Sequence, residues 1–176
     1  ASLTALVDNK SLLLKVKFPM ELFILTRVYT ALINLGYSLA AYVVMLLVFG
    51  VTPKWTMLLS PTIILFLFLF SLGLSYILAV AYVFFGDVKH LYTVALTLWM
   101  YCSAIFYPVE QLQGVIRWII WANPLYTYIH CMREIVMYGQ LPGTVEWLQM
   151  ILWSAAVYAL GLVVFRRNRN RVMQKI

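Results

Sequence analysis

The 176-residue chain is 64% hydrophobic and 11% charged, with a formal net charge of +7. A soluble domain carries roughly 45–50% apolar and about 25% charged residues, so a water-soluble fold could not hide this much apolar surface and lipid must be the solvent for much of it. The positive charge gathers at the ends of apolar runs, which makes it a record of membrane topology and excludes a nucleic-acid interface as its explanation.

The first element is a basic, amphipathic segment at residues 8–21, DNKSLLLKVKFPME, in which Phe18-Pro19 forces a break before the first long apolar run. Four apolar runs come next: Leu22 to Gly50, Trp55 to Phe85, Leu91 to Tyr107 and Trp147 to Phe165. They predict transmembrane helices over 22–50, 55–85, 88–107 and 145–165. A span needs about 20 residues, so the first two should tilt or project and the third is near the lower bound. Residues 166–176, starting RRNRNR, read as a basic tail anchoring the topology.

The stretch 108–143 is too apolar for an ordinary loop. Its core, Trp118 to Met132, is 15 residues long and reaches only about 22 Å, too short to cross. Asn123-Pro124 divides it. Asn is a good N-cap and Pro a good first helical residue, so two short interfacial or re-entrant helices are expected, the second ending at Gly139. The fold class is therefore all-α: a polytopic helical membrane protein in one transmembrane domain, with four transmembrane helices and two short outer ones.

Nine lysines and arginines lie on one side of these spans: Lys10, Lys15, Lys17, Lys89, Arg166, Arg167, Arg169, Arg171 and Lys175. The other side holds Lys54, Arg117 and Arg133. The rule that positive charge stays inside puts both chain ends in the cytoplasm. Trp55, Trp118, Trp121 and Trp147 flank the spans on the opposite side as an aromatic belt. Small residues at helical spacing, Ser71-Ser75-Ala79, Gly36-Ala40 and Ala155-Ala159, mark where helices can approach closely.

Equally informative is the missing chemistry. Arg27 is the only ionisable Asp, Glu, His, Lys or Arg within the four runs, which argues against a proton-driven carrier. There is no phosphate-binding GxxxxGK[ST] loop and no GxSxG elbow. His90 and His130 have no metal-ligand spacing, and Cys102 and Cys131 form no CxxC pattern, though a disulfide between them is open. His130 and Glu134 are four apart and can pair on a helix face. No cofactor, metal or catalytic residue is expected. A transporter built this way needs an external energy source, and residues 8–21 are where a separate ATPase would touch it, unless they only anchor on anionic lipid.

Several blocks resemble the permease subunit of ABC exporters of the second type, in the branch exporting polysaccharide, O-antigen and teichoic acid. Asn9 to Pro19 resembles that family's "N…LI.K..FP" segment, Gly86 to His90 its "RD..H" turn, Ser103 to Pro108 its "SPIFYP", and Asn123-Pro124-Leu125 with Arg133 and Gly139 its "NP……R…..G". The blocks keep the family's order. Two departures stand out: Gly86 replaces the usual Arg and Ala104 the usual Pro.

The resemblance implies a six-span permease of which this chain matches the last four spans. It further implies a bacterial cytoplasmic (inner) membrane location, a homodimer, and an ATP-binding cassette ATPase subunit as partner. ATPase coupling carries over to Lys10, Lys15, Lys17, Phe18, Pro19 and Glu21, and the cytoplasmic turn to Asp87 and His90. The outer gate and glycan path carry over to Tyr101, Phe106, Tyr107, Pro108, Asn123, Pro124 and Arg133. The substrate implied is a lipid-linked glycan, moved outward while ATP is hydrolysed on the partner. A drug or lipid exporter permease would use the same helices. A membrane-embedded acyltransferase would have to work through His130 or Glu134.

Overall fold

The computed structural model describes residues 4–8, 20–50, 54–103, 109 and 114–175. Among them every regular element is helical. In chain order these are α1 (Ala5–Asp8), α2 (Met20–Val48), α3 (Ser60–Phe84, entered through the 3-10 turn Trp55–Leu59), α4 (Val88–Cys102), α5 (Val115–Trp121), α6 (Pro124–Arg133, continued by the π turn Glu134–Tyr138) and α7 (Thr144–Lys175).

Three of these helices are long and apolar enough to cross a bilayer. The most apolar 18-residue stretch has a mean hydropathy of 2.0 in Met20–Val48, 2.6 in Trp55–Phe84 and 2.0 in Thr144–Lys175. Their 29, 30 and 32 residues correspond to roughly 44–48 Å, well over the ~30 Å hydrocarbon thickness. The 15 described residues of α4 reach about 22 Å, and residues 104–107 of the expected span 88–107 lie outside the described residues.

Hydroxyl groups inside α2, α4 and α7 do not interrupt these helices. Thr26, Thr30, Ser38, Thr97 and Ser154 each donate to the carbonyl four residues back, which satisfies the hydroxyl without a partner across the lipid.

The chain divides into two compact units. The first comprises residues 1–52, 68–89 and 155–176. Its core joins Leu6 of α1, Met20, Ile24 and Val28 of α2, Leu72, Tyr76, Ala79 and Val80 of α3, and Phe165 and Val172 of α7. On α2 these positions repeat every four residues and then stop. Beyond Val28 the helix shows Tyr29, Ile33, Tyr37, Val44 and Val48 outward, as lipid rather than water allows.

In this unit α3 and α7 approach closely at a pair of glycines. A Cβ built on Gly161 would come within 2.9 Å of Gly73 Cα, and one on Gly73 would come within 2.6 Å of Tyr158 N. Ser75 and Ala79 of the expected small-residue stripe are buried beside this crossing, but Gly36 has nothing within 4 Å and Ala155 and Ala159 are exposed. Spacing alone did not mark Gly73, because its partner lies 88 positions away.

The expected tail at 166–176 is a continuation of α7 as far as Lys175. The helical continuation has a local cause. Val172 is fully buried in the core, the Asn168 side chain donates to Val164 O, and Lys175 Nζ donates to Phe84 O at 3.0 Å while lying 5.2 Å from the Phe84 ring centre.

The second unit comprises residues 53–67 and 90–154. Two helices, α5 and α6, occupy the stretch expected to hold short outer helices. Trp147 meets Phe66 edge to face at 6.4 Å, which packs the start of α7 on α3. Cys102 and Cys131 are both free thiols.

Candidate functional site

Asn123 is the hub of the second unit. Its backbone is extended while Pro124 opens α6, the arrangement that lets an N-cap side chain fold over the first turn. Asn123 Oδ1 accepts from Leu125 N at 3.1 Å and from Trp99 Nε1 at 2.8 Å. Its Nδ2 donates to Cys102 O at 3.0 Å and to Ser103 Oγ at 3.2 Å. The full donor and acceptor capacity of one amide is used, and it joins the end of α4 to the start of α6. Asn123 is buried, so each of these bonds replaces water that cannot reach it.

The far end of α6 is held as carefully. The π turn leaves carbonyls without helical partners, and two side chains from the entry to α3 supply donors. Thr56 Oγ1 donates to Ile135 O at 2.6 Å and Lys54 Nζ to Tyr138 O at 2.8 Å. Gly139 closes the turn at φ 65°, where an L side chain would be strained and would also strike the Lys54 stem. Tyr128 OH donates to Met150 O at 3.3 Å, tying α6 to α7. Burial pushes the Tyr128 phenol up to about 12 and the Cys131 thiol up to about 12, so both keep their protons at neutral pH.

Between α6 and α7 lies a group of three ionisable side chains. His130 Nδ1 is 3.8 Å from Glu134 Oε2 and 3.7 Å from Glu146 Oε1. The His130–Glu134 pairing was legible from the i, i+4 spacing. Glu146 was not, since it arrives from the first turn of the next helix. Burial, and then the Glu146 charge, hold the Glu134 carboxyl above its usual range, with His130 opposing the shift.

In the first unit the single described member of the expected coupling set is Glu21. It sits in the first turn of α2, and its Oε1 is 4.0 Å from Arg169 Nη1 of α7. Such a half-exposed pair contributes about 0–1 kcal/mol. Lys10, Lys15, Lys17, Phe18 and Pro19 lie outside the described residues.

The remaining expected site residues are scattered. Asp87 is an exposed residue in the turn between α3 and α4 of the first unit, and His90 is an exposed residue of α4 in the second. Tyr101 is exposed near the end of α4, and Arg133 is half-buried in the last turn of α6. Phe106, Tyr107 and Pro108 lie outside the described residues. The structure thus joins Asn123 and Pro124 into one cap. It adds Trp99, Ser103, Thr56, Lys54 and Glu146, whose roles depend on contacts distant in sequence.

One open surface in the second unit is large. Arg117, Trp118, Trp121, Val145 and Gln149 line a recess of about 480 Å3, and Trp118 is largely exposed beside it.

Residues 7–137 match the profile of the ABC-2 type transporter family. The chain is 27% identical over 175 residues to the O-antigen export system permease protein RfbA of Myxococcus xanthus, covering 98% of this chain and 67% of that protein. It is 26% identical over 172 residues to a protein of the same name from Klebsiella pneumoniae, covering 97% of this chain and 66% of the relative. A further Klebsiella pneumoniae protein of that name matches at 26% over 172 residues, with the same coverage. The chain spans about two thirds of the length of the curated relatives it matches.

Proposed function

Because the chain belongs to the ABC-2 type transporter family, we propose that it is the membrane-spanning part of a permease that exports a lipid-linked polysaccharide. The observation carrying this reading is likeness over nearly the whole chain to three permeases named for O-antigen export. The absence of acidic, histidine or lysine side chains from the four apolar runs supports it, because the energy must then come from outside the membrane.

In this reading ATP is hydrolysed on a separate ATP-binding cassette subunit, which engages Lys10, Lys15, Lys17, Phe18, Pro19 and Glu21. Met20, Ile24 and Val28 share a core with α3 and α7, so a push delivered beside Glu21 cannot move α2 alone. The first unit is the transmission and the outer short helices are the gate. Residues 88–107 complete a fourth span, and both ends of the chain face the cytoplasm of a bacterium. Two copies enclose the path, with Tyr101, Phe106, Tyr107 and Pro108 near its outer mouth. Flat aromatic faces suit the C–H surfaces of sugars. Asn123 and Pro124 position that mouth rather than touch cargo, since the Asn123 amide is already fully bonded.

Export by a strain lacking the full-length gene tests the reading. Loss of surface glycan with accumulation of lipid-linked glycan inside, restored by the gene, is the expected result. Unchanged surface glycan together with lost drug or lipid efflux would favour an exporter of those compounds instead.

A further inference from the structure

We infer that His130, Glu134 and Glu146 form a binding site for one divalent transition-metal cation of the Zn2+ type, clamping the end of α6 to the start of α7. The three side chains each offer one ligand atom, and these atoms all lie within 4.8 Å of one another. Tetrahedral ligands at about 2.0–2.2 Å from a zinc ion stand about 3.4 Å apart. The separations from His130 Nδ1, 3.7 and 3.8 Å, need to contract by only a few tenths of an ångström.

Neither separation is a hydrogen bond, which for N–H to O closes to about 2.7–3.2 Å. His130 Nδ1 therefore approaches two carboxylates and bonds neither. Glu134 Oε2 is a buried oxygen with no hydrogen-bond donor among the described residues. A cation between the three groups answers both facts. It also offsets the repulsion between Glu134 and Glu146, whose carboxylates approach the same imidazole nitrogen.

The ligands are held from behind, as metal ligands usually are. Glu146 Oε2 accepts from Gly143 N, which turns Oε1 toward His130. The His130 ring packs on Tyr126 with centres 5.4 Å apart. Beside His130 and Glu146 lies a void of about 10 Å3, also lined by Thr127 and Gln149, with room for about one water molecule. A water there, beside His130 and Glu146, would supply a fourth ligand. One imidazole with two carboxylates selects Zn2+, or Co2+ in its place, over Ca2+ and Mg2+, which take all-oxygen sets.

The test uses the full-length protein in detergent, stripped with chelator and titrated with ZnCl2. One zinc per chain by elemental analysis, with a rise in thermal midpoint, is expected. CoCl2 should give the visible absorption of a four-coordinate site. Glu134→Gln and Glu146→Gln keep shape and should each weaken zinc binding at least tenfold, and His130→Gln should abolish the cobalt spectrum. Circular dichroism and elution volume show whether each variant is folded. If a variant fails to fold, the cobalt spectrum of the unaltered protein decides alone, and an octahedral spectrum overturns the site. Zinc uptake unchanged in the three folded variants, or matched by equal CaCl2 uptake, also overturns it.

Discussion

Asn123 shows how much one side chain can carry. Replacing it with Ala removes two donors from Cys102 O and Ser103, one acceptor from Trp99 and one cap from Leu125 N. Buried groups left without partners cost about 1–3 kcal/mol each, partly relieved where water enters, so Asn123→Ala should lower stability by at least ~2 kcal/mol. Asn123→Asp keeps the acceptor and loses the donors, and should fall between. Thermal unfolding in detergent, followed by tryptophan fluorescence, checks the order. Glu134 makes a second prediction through pH. Its folded value lies above the ordinary 4.5, so the neutral form is favoured in the fold. The resulting stability is present below about pH 4.5 and is lost as pH rises through the folded value. In metal-free buffer the stability of Glu134→Gln should therefore fall less than that of the unaltered protein between pH 4.5 and 7. Parallel curves would remove the carboxyl as the cause.

At the scale of the helices, Gly73 and Gly161 set the distance between α3 and α7. In an isolated helix Gly→Ala gains up to ~1 kcal/mol. Here the added methyl would press on backbone, which cannot swing aside as a flexible side chain can. Gly161→Ala should thus destabilise the first unit despite the better propensity, and Gly36→Ala, with open space around it, should not. Comparing their thermal midpoints separates packing from propensity. What the sequence made legible at this scale is local. Asn123, Pro124 and Gly139 announce the start and end of a short helix, and the hydrophobic runs announce α2, α3 and α7. What stayed hidden is long-range: the Gly73–Gly161 crossing, the Thr56 and Lys54 bonds to the π turn, and Glu146 beside His130. None of these leaves a periodic trace, because each depends on which helices become neighbours. The helical state of 166–175 was also hidden, since a run of charged residues looks alike as tail or as helix until Val172 finds its core.

For the whole molecule, the proposed drive enters where α2 begins. Replacing Phe18 and Pro19 with Ala should reduce recovery of the ATPase subunit on purification, and should reduce export several-fold, while the protein still reaches the membrane at normal levels. Normal export in that variant would detach the 8–21 segment from coupling. The composition made the membrane class plain, and the ordered motif blocks pointed to the transporter family. The cargo is less legible from residues, because Thr26, Thr30, Ser38 and Thr97 turn their hydroxyls back onto their own helices instead of offering them to a sugar.

The glycine crossing has a consequence for how this protein tolerates change over generations. Every amino acid that could replace glycine brings a Cβ, so at positions 73 and 161 there is no conservative alternative. Neighbouring lipid-facing positions such as Leu65, Leu160 and Val163 can drift among apolar residues. In a saturation mutagenesis screen the two glycines should stand as empty columns in otherwise permissive stretches, although neither has a side chain with which to do anything.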